Sequence, residues 1–132
     1  MSSPWPPDLT FTMPVAPITT IGNDLQTIVG RAQKAGTVNG VTYIPAGTRA
    51  GADTHTRTLS LINRTSAVTV AALTLVSGVD LTDNVAKTIT LSTTSANRTI
   101  NVGDILEWES LHVSNGIADP GGLVVATMAL RS

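Results

Sequence analysis

The strongest constraint on the fold is the stretch 97–130, NRTINVGDILEWESLHVSNGIADPGGLVVATMAL, which holds two strand-like runs and the tightest turn chemistry in the chain. Gly103-Asp104 opens the first run, 105–113. Its alternation puts Ile105, Glu107, Glu109, Leu111 and Val113 on one face, and Leu106, Trp108, Ser110 and His112 on the other. Asp119-Pro120-Gly121-Gly122 then resets the direction, because proline fixes one φ and the glycines permit φ > 0. The second run, 123–130, alternates less cleanly and reads as buried on both faces. A chain obliged to house this pair of strands is committed to a sheet.

Composition sharpens that commitment. The 132 residues are enough for one domain that buries about two-thirds of its unfolded surface. Only 13% are charged and 3% aromatic, and the abundant Thr and Val favour a pleated surface. A net charge of −1 lacks the basic footprint of a nucleic-acid binder. With no cysteine there is no disulfide framework, thiolate metal site or thiol nucleophile. No apolar run approaches a membrane span, and no secretory leader is legible. The Asn63-Arg64-Thr65 and Asn97-Arg98-Thr99 glycosylation patterns read as chance matches in a chain rich in Thr and Asn.

Residues 1–24 read as an arm and 25–132 as the folded domain. Five of the seven prolines, Pro4, Pro6, Pro7, Pro14 and Pro17, lie in the first 17 residues and predict an extended segment close to polyproline II. The same segment carries Trp5, Leu9, Phe11, Met13 and Val15, apolar content that a plain linker does not need. Two readings stand: the arm folds back on its own domain, or it docks on a partner. Trp5, Pro6, Pro7, Leu9 and Phe11 are the anchors expected in the second case.

Along the domain, residues 23–35 are ambiguous. A strand over 27–38, turning at Asn39-Gly40 and returning over 41–44, is favoured. A helix capped by Asn23 and ended by Gly36 is the alternative. Pro45-Ala46-Gly47 ends that segment. Leu59 and Leu61 alternate inward, 63–66 turns, and Val68 and Val70 alternate again. Leu73 and Leu75 follow on the opposite parity, so a bulge is expected at Ala71-Ala72. Residues 85–91 supply another strand and 92–97 a polar loop. About eight short antiparallel strands with little helix predict an all-β fold, a jelly-roll-like β-sandwich or small barrel.

The candidates for chemistry are few. His55 sits in a polar loop, and His112 shares a strand face with Trp108 and Ser110, so a core or subunit-interface role is expected for Trp108 and His112. Two histidines cannot build a cupin-like metal centre. Glu107 and Glu109, about 6.5–7 Å apart on one strand face, have an acid/base spacing. Glycosidase carboxylates come from different strands, so a solvated or edge-protecting pair is the simpler reading. Asp80, Asp83 and Asn84 lack calcium-loop spacing. Neither a nucleophile elbow nor a phosphate or dinucleotide motif is present. No enzyme activity, cofactor or metal is expected.

Gly36-Thr37-Val38, Tyr43-Ile44-Pro45, Thr56-Arg57-Thr58-Leu59, Ile62-Asn63, Gly103-Asp104-Ile105-Leu106 and 116–122 follow one another in a familiar order. Over about residues 27–130 the chain resembles the small all-β capsid decoration (cement, or minor capsid) proteins of tailed bacteriophages, especially those infecting actinobacteria. The resemblance implies a homotrimer on the outer face of an icosahedral virion, near three-fold or quasi-three-fold positions. Its partners would be the major capsid protein and itself, with neither nucleic acid nor membrane. It carries no catalytic residue over, and leaves Asn39, Gly40, Gly103, Asp104, Asp119, Pro120, Gly121 and Gly122 as structural turns. The alternative is a head- or tail-fibre adhesin binding host glycans, for which Tyr43 and Trp108 are the aromatics available outside the arm.

Overall fold

The structure, a computed structural model, describes residues 9–130. Among these residues the strands are β1 (Leu9–Val15), β2 (Leu25–Arg31), β3 (Gly36–Pro45), β4 (Thr56–Asn63), β5 (Val68–Thr74), β6 (Lys87–Thr88), β7 (Thr99–Ile100), β8 (Ile105–Val113) and β9 (Gly122–Leu130), with one helical turn, α1 (Ser95–Arg98). They pair as the rungs of a single long hairpin whose tip joins β4 to β5. β4 lies on β5, β3 on β6 and β7, β2 on β8, and β1 on β9, all antiparallel. Two more pairings, β3 with β9 and β4 with β8, roll this hairpin into two sheets. Their orders are β1-β9-β3-β6, with β7 also on β3, and β2-β8-β4-β5. That is the jelly-roll order, two Greek keys wound together, and it matches the architecture the sequence predicts. β6 and β7 share one place beside β3, so nine strands fill eight positions.

Alternation decides which side of each strand is buried. Leu106, Trp108 and Ser110 of β8, Leu59 and Leu61 of β4, and Val124, Ala126 and Met128 of β9 all face the space between the sheets and are shut off from solvent. Tyr43 and Trp108 meet there with ring centroids 5.6 Å apart, tilted at 37°. A tilted pair of this kind adds about 0.5–1.5 kcal/mol beyond the area it buries. The β9 run expected to be buried on both faces is in fact one-sided: Leu123, Val125, Thr127 and Ala129 are only half-buried.

Residues 23–35 hold strand β2 (Leu25–Arg31) and no helix, but the favoured strand over 27–38 breaks after Arg31 and β3 begins at Gly36 in the other sheet. Three other expectations are corrected as well. The segment 9–15 is not part of a free arm but an edge strand, paired with β9 from Leu9↔Met128 to Val15↔Gly122. An edge strand can hold Pro14 because its outer side needs no ladder donor. Phe11 points inward and closes the side of the sandwich over Gly30 of β2. The Phe11 ring lies over Gly30 closely enough that a Cβ there would touch it at 3.4 Å, an ordinary van der Waals contact.

Asn39-Gly40 does not turn the chain. β3 runs straight through it against β9, with a bulge between Val38 and Gly40. The local turn preference yields because β9 supplies a continuous partner on both sides of the bulge. The strand expected over 85–91 shrinks to β6 plus a single bridge from Leu91 to Ala71. The bulge in β5 falls at Val70, just before the expected position, and α1 lies at the end of the expected polar loop.

Candidate interaction surface

A buried polar hub fixes the two sheets relative to one another. Arg57 enters the interior from β4 and is fully shielded. Its guanidinium donates to the carbonyl oxygens of Ile117 (2.7 Å), Ser110 (3.0 Å), Ile21 (3.1 Å) and Asn23 (2.8 Å). Asp119 accepts from Tyr43 Oη at 2.6 Å, Ser110 Oγ at 2.7 Å and Gly121 N–H at 2.9 Å. Burial pushes the Tyr43 phenol far above its ordinary value, and the Asp119 charge adds to the effect. Burial also lowers Arg57, opposed by the charges of Asp119 and Asp24. A charge so enclosed needs its donors satisfied and opposite charge nearby; here carbonyl oxygens take the donors, and Asp119 and Asp24 supply the charge. The hub therefore pins the 17–23 segment, the 114–121 loop and both sheets in one frame.

On that frame the outer face of the five-stranded sheet carries no charged side chain among the described residues. Its cross-strand rows are Thr10–Thr127–Gly40, Thr12–Val125–Thr42–Thr88, Pro14–Leu123–Ile44 and Ala129–Thr37–Thr99. Lys87 is the charged residue of these strands, and its register with Tyr43 puts it on the core-facing side. Asn39, lifted out by the bulge, accepts a 2.9 Å hydrogen bond from Thr127 Oγ1 and so lies flat against the face. Three strands, β1, β9 and β3, seven to ten residues long and about 4.8 Å apart, with the two-residue β6 and β7 beyond β3, give a plane of roughly 400–500 Å². Depletion of charge is the compositional mark of the centre of a protein interface. The area is below the ~800 Å² per partner of a standard specific interface.

The outer face of the other sheet is different. There Glu107 lies between Ile28 of β2 and Ile62 of β4 in the strand register. Arg64 reaches back over it, with Nε 3.2 Å from Glu107 Oε2. Glu107 is consequently only 6% exposed, which corrects the expectation of a solvated carboxylate pair. Desolvation raises its carboxyl above the ordinary range, against the attraction of Arg64. Glu109 is held by Gln26, whose Nε2 donates to Oε2 at 2.8 Å.

The two histidines are well separated in role. Asp24 Oδ1 accepts from the His112 backbone N–H at 2.7 Å and lies 2.6 Å from its Nδ1. These bonds hold the Asp24 carboxyl below its usual range. His55 Nδ1 accepts from the Asn115 N–H at 3.2 Å, and the Ser114 hydroxyl lies 3.0 Å away. Among the described residues no group of three or more His, Cys, Asp or Glu is placed to hold a metal ion.

Of the residues the sequence singled out, Trp5, Pro6 and Pro7 lie outside the described residues. Leu9 and Phe11 pack against the core and so present no anchor outward. Trp108 is core, while His112 sits at the partly exposed end of β8. Tyr43 and Trp108 are both fully buried, which closes them to the stacking a sugar requires. Gly103-Asp104 makes the turn into β8, and Asp104 Oδ2 accepts from Asn63 Nδ2 and the Asn101 N–H. Asp119 bridges to Ile18 through its backbone as well as forming the hub, and Pro120 packs against Gly47. Gly121 has φ +77°, and a Cβ there would come within 2.8 Å of the Val15 carbonyl. Gly122 opens β9 beside Pro45. Sequence reasoning missed Arg57 as a core residue and missed the uncharged face, although the lack of charge across β1, β3 and β9 was legible.

No family model matches the chain, and no curated protein matches it. A similar solved chain comes from the structure of infectious bursal disease virus, Gx strain, with 10% identity and a TM-score of 0.41. The alignment covers 96% of this chain and 35% of that one, so this chain spans about a third of the viral chain's length. A likeness at this level carries no argument about activity or partners.

Proposed function

We propose that the protein is a non-catalytic structural component of a bacteriophage virion that binds the outer surface of the major capsid protein lattice and stabilises it. The observation that carries this reading is the uncharged, rigidly framed outer face of the five-stranded sheet. An aqueous surface normally carries interspersed charges, and a face kept free of them suits contact with another uncharged protein surface. Its modest area gives weak attachment for one copy, but many copies engaging a repeating lattice convert weak contacts into avidity. The jelly roll is a fold used by capsid, lectin and cupin domains. Burial of Tyr43 and Trp108 counts against the lectin branch, and the separated environments of His55 and His112 count against the cupin branch. The trimer and its three-fold placement rest on the sequence resemblance.

The test is to place charges at the centre of the face. Thr42→Lys combined with Val125→Glu should leave the fold intact and remove the protein from particles. Full occupancy by the folded double variant would contradict the proposal.

A further inference from the structure

Glu107 and Glu109 are the two glutamates of the chain, and they stand side by side on the outer face of β8. Their surroundings are asymmetric. Glu107 Oε2 faces Arg64 at 3.2 Å, whereas Glu107 Oε1 is buried with no hydrogen-bond donor to accept from. Glu109 follows two residues further along β8 on the same face, and its Oε2 is already occupied by Gln26 at 2.8 Å. An orphaned carboxylate oxygen beside a second carboxylate is a costly arrangement while both are ionised. It becomes a satisfied one if a single proton lies between them.

We propose that Glu107 and Glu109 form a proton-binding site, sharing one proton as the middle link of a row Arg64–Glu107–Glu109–Gln26 across the outer face of the four-stranded sheet. The proton comes from solvent, sits on Glu107 and is donated to Glu109. The row then ties the turn after β4 to β8 and β2, and the face is formally neutral. Loss of the proton to solvent leaves two adjacent carboxylates against one guanidinium, and the row is pushed apart. No other titratable group faces the pair among the described residues packed against it. β2 offers Gln26 and Ile28, β4 offers Ser60 and Ile62, and Arg31 lies one row further on, opposite Ile105. The site does not depend on the proposed virion role.

Carbon-13 labelling of glutamate gives two side-chain carboxyl signals, so their titration by NMR in the full chain reads the site directly. The expected result is two coupled steps, each sensed by both signals and separated by more than about one pH unit, with the upper above the ordinary glutamate value of about 4.3. In Glu109→Gln the amide can donate to Glu107 Oε1, so the remaining signal should titrate in one step, below the upper step of the parent. Two independent single steps near the ordinary value would overturn the proposal. So would a Glu107 titration that Glu109→Gln leaves unchanged.

Discussion

Tyr43 and Asp119, 76 positions apart in the chain, are joined by a 2.6 Å hydrogen bond in the sealed interior of the jelly roll. That bond links β3, in the middle of the uncharged sheet, to the segment that leads into β9. Asp119→Ala would leave the Tyr43 hydroxyl and the Ser110 hydroxyl without their acceptor, and Arg57 without its nearby negative charge. Breaking a buried charge network from one side costs about 3–5 kcal/mol. Tyr43→Phe removes one donor while Asp119 keeps Ser110 and Gly121, so its cost should be about 1–2 kcal/mol. Urea unfolding of the two variants checks the order, and equal losses would contradict the hub.

The acid limb of stability should depend on Asp24. Its carboxyl is held below the usual range in the folded state by the backbone and side-chain bonds to His112. A carboxyl lowered on folding contributes stability that is fully present above its unfolded value of about 3.9 and disappears as pH falls through the lower folded value. Asp24→Asn should therefore flatten the loss of stability below about pH 4 and lower stability at pH 7. Thermal melts across pH 2–7 read both effects.

Truncation separates the first eight residues from β1. Removing residues 1–8 leaves the β1–β9 ladder whole, and the domain should stay folded. Removing residues 1–17 strips an edge strand from β9 and takes Leu9, Phe11 and Val15 away from the core, so it should unfold or aggregate. Phe11→Ala isolates the packing part of that loss and should cost about 2–3 kcal/mol for a half-buried ring. Circular dichroism and denaturant titration of the three proteins check the sequence of effects.

Strict period-two alternation made β8 readable to its last residue, and the alternating leucines and valines did the same for β4 and most of β5. The all-β class and a jelly-roll-like sandwich or small barrel followed from many such runs with turns between them, while the strand order is set by the long-range pairings. Three features were hidden because they depend on distant partners. Asn39-Gly40 has the local chemistry of a hairpin, but β9 lies alongside β3 on both sides of it and absorbs it as a bulge. Prolines disguised β1, since only an edge position makes Pro14 tolerable. Glu107 looked solvated by parity, and only the approach of Arg64, Ile28 and Ile62 shows that an outward-facing carboxyl can be covered. The interior place of Arg57 is a tertiary fact, set by four carbonyl oxygens from three separate stretches of chain.

The most direct test of the central claim is the amount of this protein in purified virions, measured by quantitative mass spectrometry against the major capsid protein. A structural component bound to a repeating lattice predicts a fixed ratio, reproducible between preparations and lost in the Thr42→Lys, Val125→Glu double variant. Absence from purified particles, or a trace that varies from one preparation to the next, would contradict it.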